Sequence, residues 1–188
     1  MANESEKEQK KQQESQSTVR FYRNSAVILI SSYIVAAAYF PFPKLHLPTL
    51  LDRIVFTLRW LMVSLLAIYA GIVAVGRTRF RTTAINPLDP RGKKFTEAPE
   101  RYLQNTVEQF LLHSFSLLVL STYLSEEKMH WIPVLVVLFI IARAVFLVGY
   151  LTDPLKRATG FAMTYFPTIA VSVYCLYCMC MYGVQAPR

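Results

Sequence analysis

Cysteine and charge are both scarce in this chain, and each shortage removes a class of function. Its three cysteines, Cys175, Cys178 and Cys180, crowd near the C-terminus and define no disulfide framework. Their C-x-x-C-x-C spacing has no further ligands beside it, so apolar packing is expected there rather than a metal site. Charged residues make up only 17% of the 188 positions, whereas 54% are hydrophobic and the mean hydropathy is +0.32. That is the composition of a membrane protein of about one domain. The formal net charge is +8, yet no RNA- or DNA-reading motif accompanies it. The basic residues sit at the flanks of apolar runs, which excludes a nucleic-acid reader and points to a membrane-orientation signal.

The first eighteen residues lack aromatic side chains and almost all aliphatic ones. Such a segment buries too little surface to offset its ordering entropy, so residues 1–20 are expected to form a disordered tail. Five apolar runs follow, and the fold class they predict is an all-α, polytopic membrane helical bundle. The first run, 24–42, reads as an uncleaved signal anchor and an extra N-terminal transmembrane helix. The remaining four, over 53–182, form the bundle itself. Residues 76–100 read as a long basic loop, with turn signals at Asn86-Pro87 and Asp89-Pro90. Arg59, inside the second run, is expected to snorkel to the near interface rather than point into the bundle. With the N-terminus cytosolic, fourteen Lys and Arg residues fall on the cytosolic side and four on the other, which sets the orientation by the positive-inside rule.

The third run, Arg101–Leu124, is not ordinary membrane sequence. Arg101, Asn105 and Glu108 fall at i, i+4 and i+7, so they share one helical face, widened by Gln104, Gln109, His113 and Ser116. A carboxylate facing lipid costs several kcal/mol, so this stripe must face other helices or a watery cavity. The orientation puts Arg101, Asn105 and Glu108 at the cytosolic end of the third span, with Tyr150 ending the fourth and Arg157 opening the fifth. Arg143 lies about two turns deeper than Tyr150. A ligand suited to this set carries carboxylates for the arginine forks and an amine for Glu108. The plainer reading of Glu108 and Arg143 is a buried ion pair that fixes helix register. For His113 the plainer reading is a helix–helix hydrogen bond.

These residues resemble the MAPEG family, the membrane-associated proteins in eicosanoid and glutathione metabolism. The family's Arg, three residues, Asn, two residues, Glu matches Arg101, Asn105 and Glu108. Its next helix carries Ala-Arg, then a Tyr seven residues later and a Pro-containing loop ending in Arg; here these are Ala142-Arg143, Tyr150, Pro154 and Arg157. The resemblance implies a four-helix core per subunit, a homotrimer, and glutathione, as substrate or ligand, held between subunits near the cytosolic face. Arg101, Asn105, Glu108, Arg143 and Tyr150 would bind it, and Arg157 would be the catalytic residue that stabilises its thiolate. The sequence departs from the catalytic pattern at Phe146, often His or Tyr there, at Ala158, which lacks a hydroxyl, and in a shorter loop before Arg157.

Two functions therefore stand side by side. One is a glutathione transferase or peroxidase acting on lipophilic electrophiles or lipid hydroperoxides drawn from the bilayer. The other follows the five-span mattrin branch of the family, to which the extra helix and the NTVEQFLLHS stretch are most similar. It is a non-catalytic protein of endoplasmic reticulum, Golgi or endolysosomal membranes, with a role in trafficking or epithelial barrier integrity. In both, the expected partners are membrane lipids, lipophilic small molecules and further copies of the chain.

Overall fold

The computed structural model describes residues 2–43, 45–82, 90–152 and 156–183, with backbone alone for 2–15 and 90–91. Among them are five long helices: α1 (Ala2–Tyr39), α2 (Leu50–Arg81), α3 (Pro90–Tyr123), α4 (Trp131–Thr152) and α5 (Arg157–Tyr182), with a single 3₁₀ turn at Glu126–Lys128. The all-α bundle expected from the sequence is what forms.

Local chemistry explains the boundaries. Thr49 caps α2: its hydroxyl accepts from the Asp52 amide at 3.1 Å, while the Asp52 carboxylate accepts from the Thr49 amide at 3.1 Å. This reciprocal box satisfies donors that the first turn would otherwise leave bare. Proline opens α3 at its first position, where the missing N–H costs nothing, and Gly183, with φ of 78°, ends α5.

Two expectations about chain segments meet a different backbone. The tail read as disordered is helical from Ala2 onward, continuous with the apolar part of α1. Its Glu, Lys and Gln are good helix formers, and the apolar stretch supplies the costly nucleus from which the helix propagates. The region read as a long loop is mostly helix as well, because α2 runs on to Arg81 and α3 starts at Pro90. Arg77, Arg79 and Arg81 tolerate a helix, and their charge marks the membrane boundary rather than the helix end. The turn signal Asn86-Pro87 and Asp89 lie outside the described residues.

Among the described residues, four helical stretches are long and apolar enough to cross a membrane: Gln16–Tyr39, Leu50–Arg81, Glu126–Thr152 and Arg157–Tyr182. The remaining helix, α3, is not among them, since the polar stripe lowers its hydropathy. It runs instead antiparallel against α2. Arg53 Nη1 of α2 donates to Leu124 O at 2.8 Å near one end of the pair. The Tyr102 hydroxyl donates to Ala67 O at 3.2 Å, and Arg79 meets Glu100 at 2.9 Å beyond it. From Tyr102 to Leu124 a helix rises about 33 Å, enough for a hydrocarbon core. Thus α3 lies along the whole apolar length of α2.

The helices α4 and α5 form a second antiparallel pair, and α1 leans on both, with the Thr159 hydroxyl donating to Tyr22 O at 3.3 Å and the Tyr33 hydroxyl to Val134 O at 3.0 Å. The main core gathers Leu61, Leu117, Leu120, Met129, Ile132 and Val136. Arg59 is exposed, pointing away from the bundle. Cys175 and Cys178 are buried and Cys180 is exposed.

Candidate functional site

At the end of the bundle where α3 and α5 begin and α4 finishes, the helices leave a cleft of about 480 Å³. Arg101, Gln104, Asn105 and Glu108 line it from α3, Phe146 and Tyr150 from α4, and Arg157, Ala158 and Phe161 from α5. Val19 of α1 closes one side. Five of the six residues singled out from the sequence therefore share one cavity, delivered by three helices.

The sixth, Arg143, stands behind the wall and is fully buried. Its Nη1 donates to Asn105 Oδ1 at 2.9 Å, its Nε to Thr164 Oγ1 at 3.0 Å, and its Nη2 to Gly160 O at 3.4 Å. The guanidinium carbon lies 4.6 Å from the Phe146 ring centre, stacked behind a side chain that lines the cleft. Phe146 thus separates Arg143 from the cavity while Asn105 connects them.

The ion pair weighed for Glu108 and Arg143 is not formed. Arg143 takes neutral acceptors, and among the described residues no carboxylate pairs with it. Glu108 accepts from Gln104 Nε2 at 3.2 Å, one turn back on its own helix, and is exposed. The helix crossing sets Arg143 level with Asn105, so Glu108 lies one turn too deep. A buried guanidinium whose donors are satisfied but whose charge is uncompensated carries a desolvation cost that an anion nearby would reduce.

At the mouth, Arg101 is held by Glu97 at 2.8 Å, an exposed i,i+4 pair that contributes little on its own. Arg157 Nη1 donates to the Tyr150 hydroxyl at 2.8 Å, with its guanidinium carbon 4.9 Å from that ring's centre. This bond joins two residues seven apart in sequence across the α4–α5 connection, and it holds Arg157 at the N-terminus of α5, where the helix dipole also favours an anion.

Reading the sequence alone missed what holds Arg143. Gly160, Thr164, Thr168 and Ser172 repeat every four residues along α5, the small-residue spacing by which membrane helices approach closely. A Cβ at Gly160 would collide with the Phe146 backbone, so α4 and α5 touch there. Further along, Ser172 and Ser116 hydrogen-bond at 2.7 Å between α5 and α3. The helix–helix hydrogen bond expected of His113 does not form among the described residues: its Nε2 is buried without a partner, and the ring stacks on Phe139, centroids 4.4 Å apart.

Comparison with known proteins meets this geometry directly. The MAPEG family model matches residues 57–177, which covers most of α2 through α5. The chain belongs to the MAPEG family. The match leaves out α1, the additional helix. Among curated proteins, Transmembrane protein 79 of Mus musculus is 32% identical over 145 residues, covering 77% of this chain and 37% of the relative. The Bos taurus protein of the same name is 30% identical over 157 residues, covering 82% and 39%. The chain therefore spans under two-fifths of the length of these relatives. No solved structure matches.

Proposed function

We propose that this MAPEG protein binds glutathione in the cleft between α3, α4 and α5, with that end of the bundle facing the cytosol. The observation that carries the reading is the pairing of an open, arginine-lined cavity with a buried, uncompensated Arg143 just behind it. Glutathione offers two carboxylates and one ammonium. Arg101 at the mouth suits a carboxylate as a bidentate partner, Arg157 suits the thiolate, Glu108 suits the ammonium, and Asn105 passes a hydrogen bond from Arg143 to the peptide. The same surface supports the homotrimer that the family resemblance implies. Arg101, Gln104 and Glu108 are exposed on α3, and polar side chains at membrane depth need another protein surface over them.

Calorimetry on the detergent-purified protein tests this directly. The wild type should bind glutathione, and Arg101→Ala should weaken it by roughly 10-fold or more, the value of one charge-assisted hydrogen bond. No heat of binding in the wild type would end the reading. Native mass spectrometry of the same preparation should give a trimer; monomers across several detergents would remove the intersubunit site.

A second reading, binding without chemistry, is favoured by the cleft's own lining. Phe146 and Ala158 present no hydroxyl or imidazole to a bound thiol. In that reading the protein senses or stores glutathione in membranes of the secretory or endolysosomal system and serves trafficking or barrier integrity. In the first, it conjugates or reduces lipophilic electrophiles or lipid hydroperoxides that reach the cleft past Phe161 and Val19.

A further inference from the structure

At the opposite end of the bundle lies a second, open recess of about 480 Å³, where α1 ends and α2 and α4 begin. Its two walls differ. Ala36 and Ala37 of α1 with Pro133, Val134 and Val137 of α4 make a wall of short side chains. Phe40, Phe42, Phe56 and Trp60 make a wall of rings. The Tyr33 hydroxyl within it is already spent on Val134 O. A cavity of this size is in the range of built small-molecule sites, and a lining of short side chains and rings suits a rigid apolar body, whose binding costs less conformational entropy than that of a flexible chain.

The recess adjoins a more polar one. Phe42, Pro43, Leu45 and His130 are shared with an adjoining hollow of about 420 Å³, whose other lining residues are Glu126 and Glu127. His130 is held in place by two contacts. Its ring stacks on Phe42 with centroids 4.9 Å apart, and its Nδ1 lies 2.8 Å from Glu127 O. A carbonyl can only accept, so Nδ1 carries the proton, and in the neutral ring Nε2 presents a lone pair. Glu126 Oε1 is already engaged by the Leu47 amide at 2.6 Å, which leaves the His130 lone pair as an acceptor for an occupant that brings a donor.

We propose that this recess binds a sterol: a planar apolar ring system between the two walls, with its single hydroxyl donating at the His130 mouth. The extra helix α1 supplies Tyr33, Ala36 and Ala37, so the site exists only in a MAPEG chain carrying that helix. It lies at the far end from the glutathione cleft and does not depend on it.

Photolabelling with a diazirine cholesterol analogue whose 3-hydroxyl is free, applied to the full chain in detergent, tests the proposal. Labelling should saturate and map to peptides of α1, α2 and the start of α4. Cholesterol should compete, whereas its 3-ketone, which cannot donate, should compete about tenfold less well, the worth of one net hydrogen bond. A linear alkylamine should compete poorly. Ala36→Trp and Val137→Trp, which fill the slot from different helices, should each abolish labelling. His130→Phe keeps the stack on Phe42 and should erase the preference for alcohol over ketone. Absent saturation, labelling elsewhere, equal competition by ketone or alkylamine, or labelling that persists in both tryptophan variants would each overturn the proposal.

Discussion

Gly160→Ala should destabilise the protein by about 3 kcal/mol, the upper end for overpacking a fitted interior. The added methyl meets the amide nitrogen and Cα of Phe146. Backbone cannot turn aside as a side chain can, so α4 and α5 must separate. Separation also stretches the bonds from Arg143 to Thr164 and to Gly160 O. Arg143 would then be left buried with its donors loosened, and the lip of the cleft formed by Arg157 and Ala158 would shift with α5. The expected result is therefore double: earlier thermal unfolding of the detergent-purified protein, followed by tryptophan fluorescence, and weaker glutathione binding. Gly76→Ala is the control. A Cβ there meets nothing within 4 Å, and alanine is the better helix former by about 1 kcal/mol, so stability should hold or rise. A Gly160→Ala melting curve that overlays the wild type would mean that α4 and α5 do not touch at this point.

Arg157→Ala should lower turnover with a generic electrophile by roughly 10²-fold if the cleft is catalytic, the lower end for losing one preorganised electrostatic contact. The reasoning rests on where charge develops. The carboxylates of glutathione are charged before and after sulfur reacts, so groups that hold them contribute mainly to ground-state binding. Arg157 sits at the start of α5, braced by the Tyr150 hydroxyl at 2.8 Å. From there a guanidinium favours the thiolate over the thiol. The substitution should therefore reduce the ultraviolet thiolate absorbance of the bound peptide and lower kcat more than it raises KM. Tyr150→Phe, which removes the brace but leaves the cation, should fall between wild type and Arg157→Ala. If the wild type binds glutathione yet shows neither thiolate signal nor turnover, catalysis is excluded and the binding reading stands.

Much of the site was legible in the sequence because a helix converts spacing into geometry. The i, i+4, i+7 pattern put Arg101, Asn105 and Glu108 on one face, and the alternation of spans put Tyr150 and Arg157 at the same end. All five line one cavity. Spacing within a helix says nothing, however, of how deep one helix sits against another. That is why Glu108 was a plausible partner for Arg143, while the partner it takes is Asn105, one turn nearer the mouth. It is also why Thr164 went unnoticed. A threonine in an apolar run looks like packing until α4 and α5 close to backbone contact at Gly160.

By itself, then, the sequence determined an all-α membrane bundle, its five apolar or striped helices and the face of α3 that must be covered. These follow from composition and from the 3.6-residue period, both properties of the chain before it folds. Only the tertiary structure decided which charges meet, that Arg143 is buried without a carboxylate, that His113 stacks on Phe139, and that a second recess opens between α1, α2 and α4. Such features depend on helix crossing and relative depth, which are set by close packing of side chains far apart in sequence, and no local pattern encodes them.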